Sequence, residues 1–206
     1  MYFIVGDIGN TSTRICLINK KSKIKKSFIF DTKKIFNKGF IKKLLKKFSK
    51  VDTKKKILFS SVVPLAFKKI KNDLKKTSYK ILEIKRLRLN KLIKINIKNI
   101  KQLGSDRIVN SIAGKKFKNC LIIDFGTATT FDVIDKDGSY IGGVISPGVD
   151  LANKALPREA AALPAVEVKR PSQVIGKNTI DCMQSGIYWG YLSLVEGVIR
   201  KIKKEK

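Results

Sequence analysis

A seven-residue pattern recurs at a fixed distance along the chain, with Asp, Gly and the final Thr identical in both copies. Asp7-Ile8-Gly9-Asn10-Thr11-Ser12-Thr13 and Asp124-Phe125-Gly126-Thr127-Ala128-Thr129-Thr130 stand 117 positions apart, each after an apolar run and before another. One D-x-G is most often a plain hairpin turn. Two copies with matching hydroxyl residues and matching strand context require two similar lobes. The residue types suit polyphosphate: glycine lets the backbone approach closely, N–H groups and Ser/Thr hydroxyls meet phosphate oxygens, and the aspartate manages the accompanying cation.

The rest of the chain reads as alternating helix and strand. Strand signals fall at Tyr2 to Val5, Arg14 to Ile18, Ser27 to Phe30, Ile57 to Ser60 and Lys80 to Ile84. Ile41, Leu44, Leu45 and Phe48 share one face of a lysine-rich helix that starts near Thr32, and Ala66, Ile70 and Leu74 do so after Pro64. After Gly104 a short helix, about Asp106 to Lys116, leads to strands beginning with Cys120 to Asp124. Asp137-Gly138 marks a hairpin, Gly142-Gly143 and Pro147-Gly148 punctuate the following strands, and an alanine-rich helix and a long helix, Asn178 to Lys203, follow. The domain division is 1–116 and 117–206.

The formal charge of +29 at first suggests a nucleic-acid partner. Its distribution argues otherwise. Residues 1–100 hold 29 Lys+Arg against 5 Asp+Glu, and residues 101–206 hold 16 against 11. The lysines cluster between periodic apolar residues, at Lys42-Lys43, Lys46-Lys47, Lys54 to Lys56 and Lys75-Lys76, with little arginine or aromatic interleaving. That is the pattern of solvated faces, without the forks and stacking rings that read bases. An AT-biased coding sequence gives the same Lys, Ile and Asn surplus. No specific nucleic-acid partner and no membrane partner is expected. No apolar run is long enough to span a bilayer and no signal-peptide order opens the chain, so the expected location is cytoplasmic.

There is no histidine, so acid–base chemistry falls to carboxylate, lysine or tyrosine. Cys16, Cys120 and Cys182 sit far apart among apolar neighbours and read as buried free thiols. Gly104-Ser105-Asp106-Arg107 lies where the first lobe passes into the second. Asp106 is either a helix cap or the base of a His-free site, with Arg107 beside it to hold a substrate carboxylate. Arg14 adds charge after the first copy or simply faces solvent, and Thr179 caps the last helix or touches a ligand. Gly186, Gly190, Ser193 and Gly197 give that helix a small-residue face suited to close packing.

Together these motifs resemble type III pantothenate kinases, of the acetate kinase, hexokinase and actin superfamily. Asp7 to Arg14 resembles the family's first phosphate motif, Ser60-Ser61-Val62-Val63-Pro64 its S-S-V-x-P segment, and Gly104 to Arg107 its G-A-D-R substrate motif. Asp124 to Gly148, with G-T-A, G-G-V-I and S-P-G, resembles the second phosphate motif. Leu163-Pro164, Ile175 to Thr179 and Ser185-Gly186 extend the likeness.

The resemblance implies an α/β protein of two ribonuclease-H-like, actin-like ATPase lobes, the second incomplete at its C-terminus, with ATP in an interlobe cleft. It implies ATP-dependent phosphorylation of pantothenate to 4'-phosphopantothenate, the first step of coenzyme A biosynthesis, in a homodimer that uses Mg2+ and a monovalent cation, K+ or NH4+. Asp106 takes the proton acceptor's place and Asp124 the monovalent-cation ligand's. Asp7, Ile8, Gly9, Asn10, Thr11, Ser12, Thr13, Arg14 and Thr127 take the ATP-binding positions. Gly104, Ser105, Asp106, Arg107 and Thr179 take those for pantothenate, Thr179 across the dimer. The sequence departs from the family pattern at Ser105 for alanine, Ile97 for an aromatic, Ala160 for Thr, and in lacking the T-G-G segment after Lys203. The competing reading is a noncatalytic regulatory relative that binds nucleic acid weakly.

Overall fold

The computed structural model describes residues 1–48 and 53–206. The strands are β1 (Tyr2–Ile8), β2 (Ser12–Asn19), β3 (Ile24–Asp31), β4 (Thr53–Ser61), β5 (Lys80–Glu83), β6 (Cys120–Phe125), β7 (Ala128–Ile134) and β8 (Tyr140–Pro147). The helices are α1 (Phe40–Lys46), α2 (Pro64–Leu74), α3 (Ser105–Gly114), α4 (Val149–Glu159) and α5 (Thr179–Glu205). Two compact units result. The first comprises Met1–Ile122 with Asp132–Gly142, and the second Ile123–Phe131 with Gly143–Lys206. This grouping follows contacts, whereas the division at 116 and 117 follows the repeat.

In the first unit five strands run in the order β3-β2-β1-β4-β5. β1 pairs antiparallel with β2, Asp7 opposite Arg14, and parallel with β4, Asp7 opposite Ser60. Apolar residues alternate along these strands, so Ile4, Ile8, Ile15, Leu17, Ile57 and Phe59 face one core with Ile41, Leu44 and Leu45 of α1 and Ala66, Ile70 and Leu74 of α2. β3, at the edge, is lysine-rich and largely exposed, which blunts an unpaired sheet edge. A second cluster gathers Ile84, Ile93, Leu103, Ile108, Ile134 and Tyr140.

The helix expected from Thr32 onward is broken. Thr32–Phe36 is a short 3-10 turn, and α1 begins only at Phe40, because Gly39 at φ 74° sits in the left-handed region and interrupts the run. Thr32 is held elsewhere: its hydroxyl donates to the Gly9 carbonyl at 2.7 Å. The hairpin at Asp137-Gly138 joins β7 to β8, with the Asp135 carboxylate accepting from the N–H groups of Asp137 and Ser139. Gly142 and Gly143 lie inside β8 instead of between strands.

One expectation about side chains fails. Only Cys16 is buried; Cys120 is half-buried and Cys182 exposed. On the small-residue face of α5, Gly186 and Gly190 are exposed, and a Cβ at either meets no atom within 4 Å. Among the described residues no helix is long and apolar enough to cross a membrane.

Candidate active site

The first D-x-G copy is a tight turn between antiparallel strands. Gly9 N–H donates to the Ser12 carbonyl at 3.0 Å, and Thr32 N–H to the Thr11 carbonyl at 3.0 Å. Ile8 and Thr13 point into the core, and the Thr13 and Thr32 hydroxyls bond at 2.9 Å. Asp7, Asn10, Thr11, Ser12 and Arg14 are exposed. Inward residues fix the turn, and the exposed ones carry hydroxyl and N–H groups of the type that meet phosphate oxygens. The sequence reading gave Thr32 only as the start of a helix; its part in holding this turn carried no signal of its own.

The second copy, in the second unit, is closed by a similar bond that is one residue shorter. Gly126 N–H donates to the Ala128 carbonyl at 3.1 Å, and Gly148 N–H to the Thr127 carbonyl at 3.0 Å. Asp124 and Thr127 are exposed at this turn. Gly148 sits so close to the Gly126 and Thr127 carbonyls that a Cβ has no room. Thr129 is buried and bonds the hydroxyl of Tyr191 on α5.

The third candidate segment opens α3, with Gly104 at the N-cap position. Ser105 is buried, its hydroxyl donating to Glu83 Oε1 at 3.2 Å. Asp106 is half-buried in the first helical turn, where its Oδ1 accepts the Arg107 N–H at 2.8 Å and where the helix dipole favours its charge. Arg107 turns inward: Nε donates to Asp132 Oδ1 at 2.7 Å and the guanidinium lies 5.8 Å from the centre of the Tyr140 ring. Its Nη2 is buried with no hydrogen-bond partner among the described residues. A carboxylate oxygen is the group that would complete it. Burial, first, and Asp132 push the Tyr140 hydroxyl up to about 12 against the opposing pull of Arg107.

Asp132 and Tyr140 belong to this arrangement and no motif announced them. Thr179 is exposed at the start of α5, in the second unit, lining a 540 Å³ cavity with Leu156, Leu163 and Met183. It is not the cap: the side-chain Oδ1 of Asn178 accepts the Asp181 N–H at 2.9 Å. Ile97 packs against the second apolar cluster. Among the described residues no group of three or more acidic or thiol side chains forms a metal site. Asp124 is exposed, and its carboxylate is the oxygen donor type that hard cations take.

The family model for type III pantothenate kinase matches residues 3–201. The type III pantothenate kinase of Pelagibacter ubique (strain HTCC1062) is 49% identical over 205 residues, covering 98% of this chain and 82% of that protein. Among solved structures, a conserved protein assigned to the Baf family of transcriptional activators, from Campylobacter jejuni, superposes with a TM-score of 0.57 at 20% identity, over 95% of this chain and 78% of that one. A protein assigned as a 2-dehydro-3-deoxygalactonokinase from Sinorhizobium meliloti gives 0.53 at 12% identity, over 85% and 63%. These last two show the fold alone, that of actin-like ATPases and sugar kinases with two ribonuclease-H-like lobes. The match to the kinase family favours the enzyme over the noncatalytic alternative.

Proposed function

The chain belongs to the type III pantothenate kinase family, phosphotransferases that phosphorylate pantothenate with ATP in coenzyme A biosynthesis, and on that premise we propose how its own residues divide the work. Asp7 to Arg14 and Thr127 bind the ATP phosphates, and Gly104 to Arg107 with Thr179 bind pantothenate. The observation that carries this reading is the twin construction of the two D-x-G turns, each closed by a glycine N–H on a carbonyl two or three residues ahead.

Phosphoryl transfer depends mainly on positioning and charge neutralisation. Arg107, oriented by Asp132, presents Nη2 to the pantothenate carboxylate. Asp106, fixed by its bond to the Arg107 N–H, orients the 4'-hydroxyl and accepts its proton as the oxygen bonds to the γ-phosphorus and ADP leaves. Asp124 would hold the monovalent cation, K+ or NH4+, and Mg2+ would come with ATP; these ions supply charge neutralisation at the phosphates. The working form is a cytoplasmic homodimer, with Thr179 contributed across the interface and with no nucleic-acid or membrane partner.

The test is direct. Purified protein with Mg-ATP, K+ and pantothenate should form 4'-phosphopantothenate and ADP in equal amounts. Folded protein that yields ADP without phosphopantothenate, or neither, rejects the assignment.

A further inference from the structure

The first unit contains a cavity of 830 Å³ whose walls come from β4 and α2, the 84–86 turn and the start of α3. Five cationic side chains line it, Lys68, Lys71, Lys75, Lys85 and Arg86, against one carboxylate, Glu83. That carboxylate is already engaged, accepting from the Ser105 hydroxyl and lying 3.9 Å from Arg86. None of Lys68, Lys71 and Lys75 has an acidic partner among the described residues. Their spacing places them on one face of α2, spread over about 10 Å of helix axis. Val62, Pro64 and Phe67 supply an apolar strip beside them.

A concave surface of one sign with low-dielectric walls focuses its field, which a flat lysine coat does not. The spread of the charges suits an anion with several charged groups, and the apolar strip suits an organic part attached to them. We propose that this cavity is a binding site for an organic polyphosphate, its phosphates along the α2 lysines and Lys85, its organic part on Val62, Pro64 and Phe67. Gly104 and Ser105 of the pantothenate segment also line this cavity, but none of the residues named here for the polyphosphate belongs to the segments assigned above. The test reads ligands other than pantothenate, so its failure is distinguishable from failure of the kinase assignment.

Calorimetric titration of the whole chain with inorganic tripolyphosphate and with GTP, at about 0.15 M salt, tests it. Replacing Lys68, Lys71 and Lys75 together by Gln should weaken both ligands by about tenfold or more, and Lys85→Gln alone, on a different element, should weaken both measurably. The same charge change on lysines that do not line the cavity, Lys38→Gln with Lys42→Gln and Lys43→Gln, should leave affinity within about twofold. GTP should bind more tightly than tripolyphosphate. Equal losses from the α2 and control triples, or no effect of Lys85→Gln, would mean a nonspecific lysine coat and overturn the site. GTP no tighter than tripolyphosphate would overturn the organic part of the ligand. Melting curves of each variant show whether it is folded, and Lys85→Gln remains decisive if the α2 triple is not.

Discussion

Arg107 reaches from the first turn of α3 to Asp132 on β7, 25 residues away, and makes a 2.7 Å charge-assisted bond with 12% of one side chain and none of the other exposed to solvent. The pair ties the helix that carries Asp106 to the second apolar cluster.

Removing one charge of such a pair leaves the other buried and uncompensated. Asp132→Asn should therefore cost on the order of 3 kcal/mol, read by denaturant unfolding. Because Arg107 then loses its orientation, the pantothenate KM should rise while the ATP KM holds. A stability loss with both KM values unchanged would make Asp132 purely structural.

Asp106→Asn separates cap from base. The amide oxygen can still accept the Arg107 N–H, so melting temperature should change little, whereas turnover should fall by about 10²–10⁴. Wild-type turnover in this variant would leave Asp106 as a cap alone.

Tyr140 makes a prediction in alkali. Its hydroxyl titrates near 10.0 in the unfolded chain and about 12 in the folded one, raised first by burial. The neutral form is thus favoured by folding. The associated stability, on the order of 2–3 kcal/mol, is fully present below pH 10 and is lost as pH rises through about 12. Tyr140→Phe should flatten that part of the unfolding profile; an unchanged slope would reject the assignment.

Gly148→Ala probes the second turn. The added methyl has to displace the Gly126 and Thr127 carbonyls, moving Thr127. Affinity for a non-hydrolysable ATP analogue should fall by about tenfold or more while Asp106 and its surroundings are untouched. Unchanged nucleotide affinity would remove Thr127 from the ATP site.

Much of the fold was legible because its signals are local. Ile4, Ile8, Ile15 and Leu17 alternate as half-buried strands must, and Pro64 opens α2 at the position where its missing N–H costs nothing. The repeat located both turns. Asp132 and Tyr140 were not legible, since each is a single residue within an ordinary strand and acquires its role only through Arg107, far away in sequence. Thr32 misled for a related reason: it follows β3 as a helix cap would, but its hydroxyl is bound to Gly9. The glycines of α5 have the spacing of a packing face, and spacing alone says nothing about a neighbour.

The parallel pairing of β1 with β4 also fixes an order of assembly. β1 and β2 are joined by a tight turn and can zip as a hairpin within microseconds, whereas Ile4 meets Ile57 only after some fifty residues have been looped back. The first D-x-G turn is therefore cheap to form early, and Ser61 to Pro64, tethered through Val62 N–H to the Ile8 carbonyl, is recruited late. Substitutions at Ile15 should slow refolding, and substitutions at Ile57 should chiefly speed unfolding, so a chain emerging from the ribosome would carry a finished turn well before it had a cavity beside it.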